Sequence, residues 1–337
     1  MQKHQNTKNH LPPDDPNLDL SLRPRTWDEY IGQEKIKKNL TLIIGAAKKR
    51  GESPDHLLFY GQAGLGKTTL AYLIGKEMGA PVKTTTGPTL EKAGDIAALL
   101  SNIEPNEILF IDEAHRINKM AEEILYPALE SRKLHLIVGK GSSARTFSLD
   151  IPPFTVIAAT TKVSMLSGPL RSRFGATFKL DFYKNEDIEK IIKRSAKILG
   201  AGISDEAVKI IAKASRFTPR TANRLLKRAR DYAEVYEDGK ITEESAKRIL
   251  DLLEIDSLGL EEEDRRLLEI IIKNFNGGPV GLKALSAALS EEASTIEDIY
   301  EPFLMGLGLL ERTSLGRIAT KEAYKHLYIP FQEQKLV

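Results

Sequence analysis

The stretch Gly61-Gln62-Ala63-Gly64-Leu65-Gly66-Lys67-Thr68 decides how the rest of the chain is read. It matches the phosphate-loop pattern G-x-x-x-x-G-K-[ST] in full. Ahead of it, His56 to Tyr60 reads as a short apolar strand. Behind it, Thr68 to Met78 carries Leu70, Ala71, Leu73 and Ile74 on helical spacing. Strand, glycine-rich turn and helix is the context that the pattern requires. The glycines let backbone N–H groups converge on phosphate oxygens, and the helix N-terminus adds a favourable field. Lys67 then reaches the outer phosphates of ATP, and Thr68 is placed to ligate Mg2+.

Moving outward, Ile108-Leu109-Phe110-Ile111 is an apolar strand that runs into Asp112 and Glu113. Two carboxylates at the end of such a strand lie at the carboxyl edge of a sheet, where such sheets bind ligands. Asp112 would support the Mg2+ shell, and Glu113 would orient or deprotonate the attacking water. Ala158-Ala159-Thr160-Thr161 closes another apolar strand and offers a hydroxyl to the terminal phosphate or the water. Ser167 to Phe174 holds Arg171 and Arg173. Either arginine fits a surface ion pair or the neutralisation of phosphate charge, and the residues alone do not choose. Arg220 follows Thr218-Pro219 at a helix start, on a face rich in Arg and Lys. Such a face is either solvated or a sensor of nucleotide.

The chain divides into sections around this stretch. Residues 18 to 184 alternate strands with helices, which predicts a mainly parallel sheet covered on both faces. Within them, Leu134 to Val138 and Arg145 to Leu149 read as a hairpin around Gly139 to Ser143, either a binding element or a plain surface connection. A helix is expected over Leu90 to Leu100 and a last strand over Ala176 to Phe182. Residues 185 to 256 read as a small helical bundle, with Ala222, Leu225, Leu226, Ala229 and Ala233 on one face. Residues 257 to 330 read as helices followed by a wing, Leu309 to Arg312 and Arg317 to Ala319. Residues 1 to 17 and 331 to 337 are expected to be tails.

Composition is that of a globular protein: 41% apolar, 28% charged, net charge +2 and no cysteine. Disulfides and thiolate metal sites are therefore excluded. With no long apolar run and no apolar N-terminal segment, the expectation is a cytoplasmic protein with no membrane partner. The six histidines are scattered, and His115 is better placed to sense the nucleotide than to bind zinc.

Taken together, Leu22-Arg23-Pro24, Tyr30-Ile31-Gly32-Gln33, Gly61 to Thr69, Leu109 to Glu113, Gly139 to Arg145, Ser167 to Gly175, Thr218 to Arg220, Gly277 to Leu282 and Tyr300-Glu301-Pro302 carry a resemblance. From about Leu22 to Leu327 the chain resembles the RuvB family of bacterial Holliday-junction branch-migration motors. The resemblance implies an α/β AAA+ P-loop NTPase core, a small helical lid domain and a C-terminal winged-helix domain. It implies a homohexamer on duplex DNA that hydrolyses ATP with Mg2+ to drive branch migration in homologous recombination and DNA repair. RuvA, RuvC and Holliday junction DNA are the implied partners.

Carried onto this sequence, the resemblance makes Lys67 the phosphate lysine, Thr68 and Asp112 the Mg2+ side, and Glu113 the acid beside the water. Gly61, Gly64, Leu65, Gly66 and Thr69 complete the phosphate loop. Thr161 is the expected first sensor, with Thr160 a near alternative. Arg173 is the expected finger into a neighbouring subunit's ATP, and Arg220 the second sensor. Leu22, Arg23, Pro24, Tyr30 and Ile31 are expected on the adenine and ribose side, with Tyr183 close by. Leu136, Val138 and Phe147 are expected to anchor RuvA, and Arg312 and Arg317 to contact DNA.

Several positions depart from the family pattern. Gln62 and Ala63 replace prolines, Ala114 replaces isoleucine, Phe217 replaces glycine, and Leu315 replaces a wing arginine. Residues 261 to 337 hold 9 Lys plus Arg against 13 Asp plus Glu, a net of −4. Phosphate contacts need local positive charge, so the expected winged helix binds DNA more weakly than usual or acts as a packing module. Two other readings share the phosphate loop and Arg173: an AAA+ clamp loader, and a diverged assembly protein that uses ATP as a structural switch. The hairpin and Gly277-Gly278-Pro279 favour the motor.

Overall fold

A computed structural model describes residues 20–138 and 145–331, and these fall into two compact units. One unit comprises residues 15–187 with Thr218–Arg220, and the other residues 188–217 with 221–337. The turn Gly139 to Ser143 and both expected tails except Phe331 lie outside the described residues, as do the side chains of Leu136 and Val138.

The first unit is built on five strands: β1 (Leu57–Tyr60), β2 (Val82–Thr86), β3 (Ile108–Asp112), β6 (Thr155–Thr160) and β7 (Ala176–Lys179). They pair in parallel in the order β2-β3-β6-β1-β7. The three central strands are buried through almost their whole length. That burial on both faces explains why they read as continuous apolar runs rather than as alternating ones. The register sets Tyr60 beside Thr160 and Ile111 beside Ala158, so the strand ends share one edge.

Two sequence expectations shift at element boundaries. The helix expected from Leu90 begins at Ala93, because Gly87–Thr89 forms a short 3-10 turn first. Thr86 and Thr89 cap that turn reciprocally, which diverts the chain before the helix can start. β7 ends at Lys179 rather than Phe182. The Leu180 N–H still donates to the Tyr60 carbonyl at 2.8 Å, but Asp181 then turns toward Gln33.

The hairpin is present as β4 (Lys133–Val138) and β5 (Arg145–Asp150), antiparallel from Lys133↔Asp150 to Val138↔Arg145. It follows directly on α4 (Lys119–Ser131), numbered after α1 (Glu34–Arg50), α2 (Lys67–Met78) and α3 (Ala93–Ser101). Phe147 and Leu149 on β5 are exposed.

In the second unit, helices Asp205–Lys213, Pro219–Tyr236 and Glu243–Leu252 form the bundle. Leu225, Leu226, Ala229 and Ala233 are buried, as their spacing predicts. Residues 261 onward add helices Glu262–Asn274 and Leu282–Leu289, a helical run from Ala293 to Gly306 with a π-type turn over Ile296–Tyr300, and the wing Leu310–Arg312 with Arg317–Ala319. A single apolar cluster around Leu267, Ile271, Phe303 and Leu304 holds this part together.

The bundle and the winged part share a unit because specific pairs join them. Arg216 binds the buried carboxylate of Asp264 and lies over the Phe303 ring, 4.0 Å from its centroid. The Phe217 and Phe303 rings meet at 6.0 Å. Phe217 adopts the left-handed conformation, φ +56°, that a glycine takes most readily. The family's glycine is therefore replaced without losing the backbone turn, and the new ring packs against the winged part.

Candidate active site

Lys67 opens α2 and is buried. Its Nζ donates to the carbonyls of Gly61 and Gln62, each at 2.8 Å. The loop thus curls over its own lysine, and Gln62 takes part through its backbone alone. Burial pulls the Lys67 amine down to about 8, with Asp112 opposing that shift and Arg220 adding to it. Gly66, at φ +96°, caps the helix, and a Cβ there would lie 3.0 Å from the Tyr30 hydroxyl. A Cβ on Gly64 would lie 2.9 Å from Cβ of Arg220. Both glycines are therefore required by space as well as by conformation. The second contact places Arg220 beside the phosphate loop.

The acidic strand end comes to the same place. The Thr68 hydroxyl donates to Asp112 Oδ2 at 3.4 Å, and the other Asp112 oxygen accepts from the Glu113 N–H at 2.8 Å. Glu113 is exposed, in the left-handed conformation at φ +48°, and pairs with Arg116 at 3.1 Å. Asp112 and Thr68 thus bring two side-chain oxygens together at the end of β3, while Glu113 is exposed to solvent. Ala114 is fully buried in the core, which accommodates the smaller side chain there.

The structure separates the two candidate sensor threonines. Thr160 is buried, bonds His115 Nδ1 at 2.9 Å and accepts from the Lys162 N–H. Thr161, the next residue, is exposed just beyond the strand. His115 therefore braces the end of β6 from the acidic strand.

Of the residues expected on the base side, Leu22, Tyr30 and Tyr183 are buried and Ile31 is half-buried. The Tyr183 hydroxyl lies 3.2 Å from the Leu65 carbonyl and 3.4 Å from the Tyr30 hydroxyl. Burial pushes the Tyr183 phenol up to about 12, so it stays a neutral donor. The Arg23 guanidinium covers the Tyr72 ring at 4.7 Å. Thr69 is half-buried in the first turn of α2.

Arg173 is held by a different set of residues. Its guanidinium donates to the Pro169 carbonyl at 2.7 Å and to Glu130 at 2.9 Å, and stacks on Tyr126 at 4.9 Å. Glu130 and Tyr126 were invisible as site residues in the sequence. Only the successive four-residue steps from Glu122 to Tyr126 to Glu130 hint that the three share one helix face.

One expected contact is corrected. Arg317, expected on the DNA surface, is buried and paired with Glu301 at 2.6 and 3.2 Å. Its charge is spent inside the winged part. Arg312 keeps an exposed side chain, paired with Glu297 at 2.9 Å, and Leu315 at the wing tip is 78% exposed.

A parallel sheet with this phosphate loop and acidic strand end, followed by a helical bundle and a winged helix, defines an AAA+ P-loop ATPase, a fold that implies ATP and Mg2+ binding. Comparison with known proteins narrows the class. Residues 22–180 match the model of the Holliday junction DNA helicase RuvB P-loop domain, 183–256 the RuvB AAA lid domain, and 257–328 the RuvB C-terminal winged helix domain. The Holliday junction branch migration complex subunit RuvB of Chloroflexus aggregans is 54% identical over 97% of this chain and 93% of its own length. That of Dehalococcoides mccartyi is 54% identical over 96% and 92%. A solved structure of the Thermotoga maritima RuvB Holliday junction branch migration motor superimposes with a TM-score of 0.84 at 47% identity, covering 93% of this chain and 100% of that one. The chain belongs to the RuvB family.

Among the described residues no helix is long and apolar enough to cross a membrane, and no group of three or more His, Cys, Asp or Glu forms a metal cluster.

Proposed function

We propose that this chain is an ATP-driven motor that moves Holliday junctions by pulling duplex DNA, working as a homohexameric ring with RuvA and RuvC as partners. The observation that carries the reading is the division of labour around ATP. Lys67, Thr68, Asp112 and Glu113 converge within one chain, whereas the hydrogen bonds and ion pair of Arg173 run to Pro169 and Glu130. A subunit built this way offers a complete phosphate cradle on one side and an arginine for a neighbour on the other.

Lys67 would neutralise the outer phosphates, and the loop N–H groups around Gly64 and Gly66 would hold their oxygens. Thr68 and Asp112 would hold Mg2+, which supplies charge neutralisation on the phosphates. Glu113, exposed at the strand end, would orient the water and take its proton. Thr161 would report on the terminal phosphate, since its side chain is exposed where that of Thr160 is committed to His115. Arg220 would sense the same nucleotide from the far side of the loop, and Arg173 would stabilise charge on ATP held next door. Leu22, Arg23, Ile31 and Tyr183 would border the base and ribose. The winged helix would follow the DNA backbone, with Arg312 as its contact. The hairpin, through Phe147, Leu136 and Val138, would dock RuvA. A cytoplasmic location follows from the same reading.

A synthetic four-way junction incubated with the protein, a matched RuvA, ATP and Mg2+ tests this. Separated duplex products that require ATP are expected. A junction left intact despite active ATP hydrolysis would favour a clamp-loader role instead.

A further inference from the structure

Glu122, Tyr126 and Glu130 follow one another at four-residue intervals on α4, which sets them in a line on one face. That line faces the short helix Gly168–Ser172 and Arg173. The Tyr126 hydroxyl donates to Glu122 at 2.7 Å and lies 2.9 Å from Ser167 Oγ, the oxygen that caps this short helix by accepting from the Leu170 N–H. Arg173 lies over the Tyr126 ring, donates to the Pro169 carbonyl through one terminal nitrogen and to Glu130 through the other. Its Nε is buried with no hydrogen-bond partner. Both terminal nitrogens thus each hold a partner inside the subunit, so the guanidinium is already engaged before any phosphate meets it.

We propose that Glu130 is a positioning residue for Arg173, a competing carboxylate that holds the arginine back against its own subunit until a neighbour's phosphates displace it. The inference rests on the reading of Arg173 as a finger in trans. Three features support a displaceable hold. The Glu130 side chain is 67% exposed and that of Arg173 25%, so the pair is screened by water and weak. A triphosphate carries more negative charge than one carboxylate and can likewise accept two guanidinium N–H groups at once. Tyr126 and Pro169 carry no charge to compete, so they seat one edge and the face of the guanidinium while the nitrogen held by Glu130 changes partner. Glu130 also lies at the last turn of the helix that leads into the hairpin at Lys133, so a partner seated on the hairpin acts on the element that carries the hold.

The test measures ATP hydrolysis by the full-length protein on duplex DNA without RuvA, for wild type, Glu130→Gln, Glu130→Asp and Arg173→Ala. Glu130→Gln is expected to raise kcat about two- to five-fold, the span an exposed ion pair can supply, with KM for ATP unchanged because Arg173 changes partner as charge builds on the reacting phosphate and not as ATP binds. Glu130→Asp, which keeps the charge, is expected to stay near wild type. A merely structural role would lower the melting temperature and leave kcat unchanged or reduced. An unchanged or lower kcat for folded Glu130→Gln, alongside an inactive Arg173→Ala, overturns the hold and leaves the finger standing. A fully active Arg173→Ala overturns the finger itself, and the hold with it.

Discussion

Thr68 donates its hydroxyl to Asp112 across 3.4 Å, tying the first turn after the phosphate loop to the end of the acidic strand. If these two oxygens support one Mg2+, Asp112→Asn weakens the apparent Mg2+ affinity in the ATPase assay by about 10- to 100-fold, the usual cost of losing a supporting group. Thr68→Val acts in the same direction. Nucleotide binding in EDTA stays close to wild type. An unchanged Mg2+ midpoint in both variants contradicts the assignment.

Lys67 gives a pH signature. Its amine is held near 8 by burial, and bound phosphates favour the charged form. Binding therefore takes up a proton once the free protein has lost it. Affinity is flat below about pH 7 and falls as pH rises through 8, reaching about a tenfold loss at pH 9. Titration of a fluorescent nucleotide at pH 7 and 9 reads this directly. Lys67→Arg, which stays charged throughout, is expected to bind with no such slope.

Arg312 and Arg317 separate stability from DNA binding. Arg317 and Glu301 form a buried pair, so Glu301→Ala strands a buried charge and costs about 3–5 kcal/mol. Urea unfolding measures it. Arg312→Ala leaves stability almost unchanged and weakens duplex binding, lowering the salt slope by about 0.9 for one lost phosphate contact. A stable Glu301→Ala protein, or a salt slope indifferent to Arg312, runs against this account.

His56 predicts an acid-side loss of stability. Its Nδ1 accepts from the Val156 N–H at 2.9 Å, and its Nε2 faces the Leu129 carbonyl at 3.3 Å. The neutral ring with its proton on Nε2 satisfies both. Burial lowers the pKa from its ordinary 6.5, so the unfolded chain binds the proton first as pH falls. This contribution is complete above pH 6.5 and is lost below it, by up to about 1.4 kcal/mol per pH unit. Urea midpoints for wild type and His56→Gln, measured from pH 7.5 to 5.5, should converge as pH falls.

What the sequence disclosed follows physical range. The central strands were legible because burial on both faces demands unbroken apolar runs such as Ile108 to Ile111. The phosphate loop was legible because its chemistry is local, set by glycines within eight positions. Arg317 misled because its partner Glu301 is 16 residues away on another element, and no local spacing announces that pairing. Arg216 and Asp264, 48 residues apart, were silent for the same reason. Neighbouring Thr160 and Thr161 have the same side chain in sequence, and the end of β6 buries the first and exposes the second. The surroundings of Arg173 depend on the face of α4, where Glu130 lies 43 residues away in sequence.

The central claim is that one ATP site needs two subunits. Rings mixed from Arg173→Ala and Lys67→Ala chains test it most directly, by ATP hydrolysis on duplex DNA after mixed assembly has been verified. Each variant alone is expected to be nearly inactive, and the mixture to recover a clear fraction of wild-type turnover, where an intact Lys67 site meets an intact Arg173. Verified mixed rings that hydrolyse no faster than either parent would contradict the account.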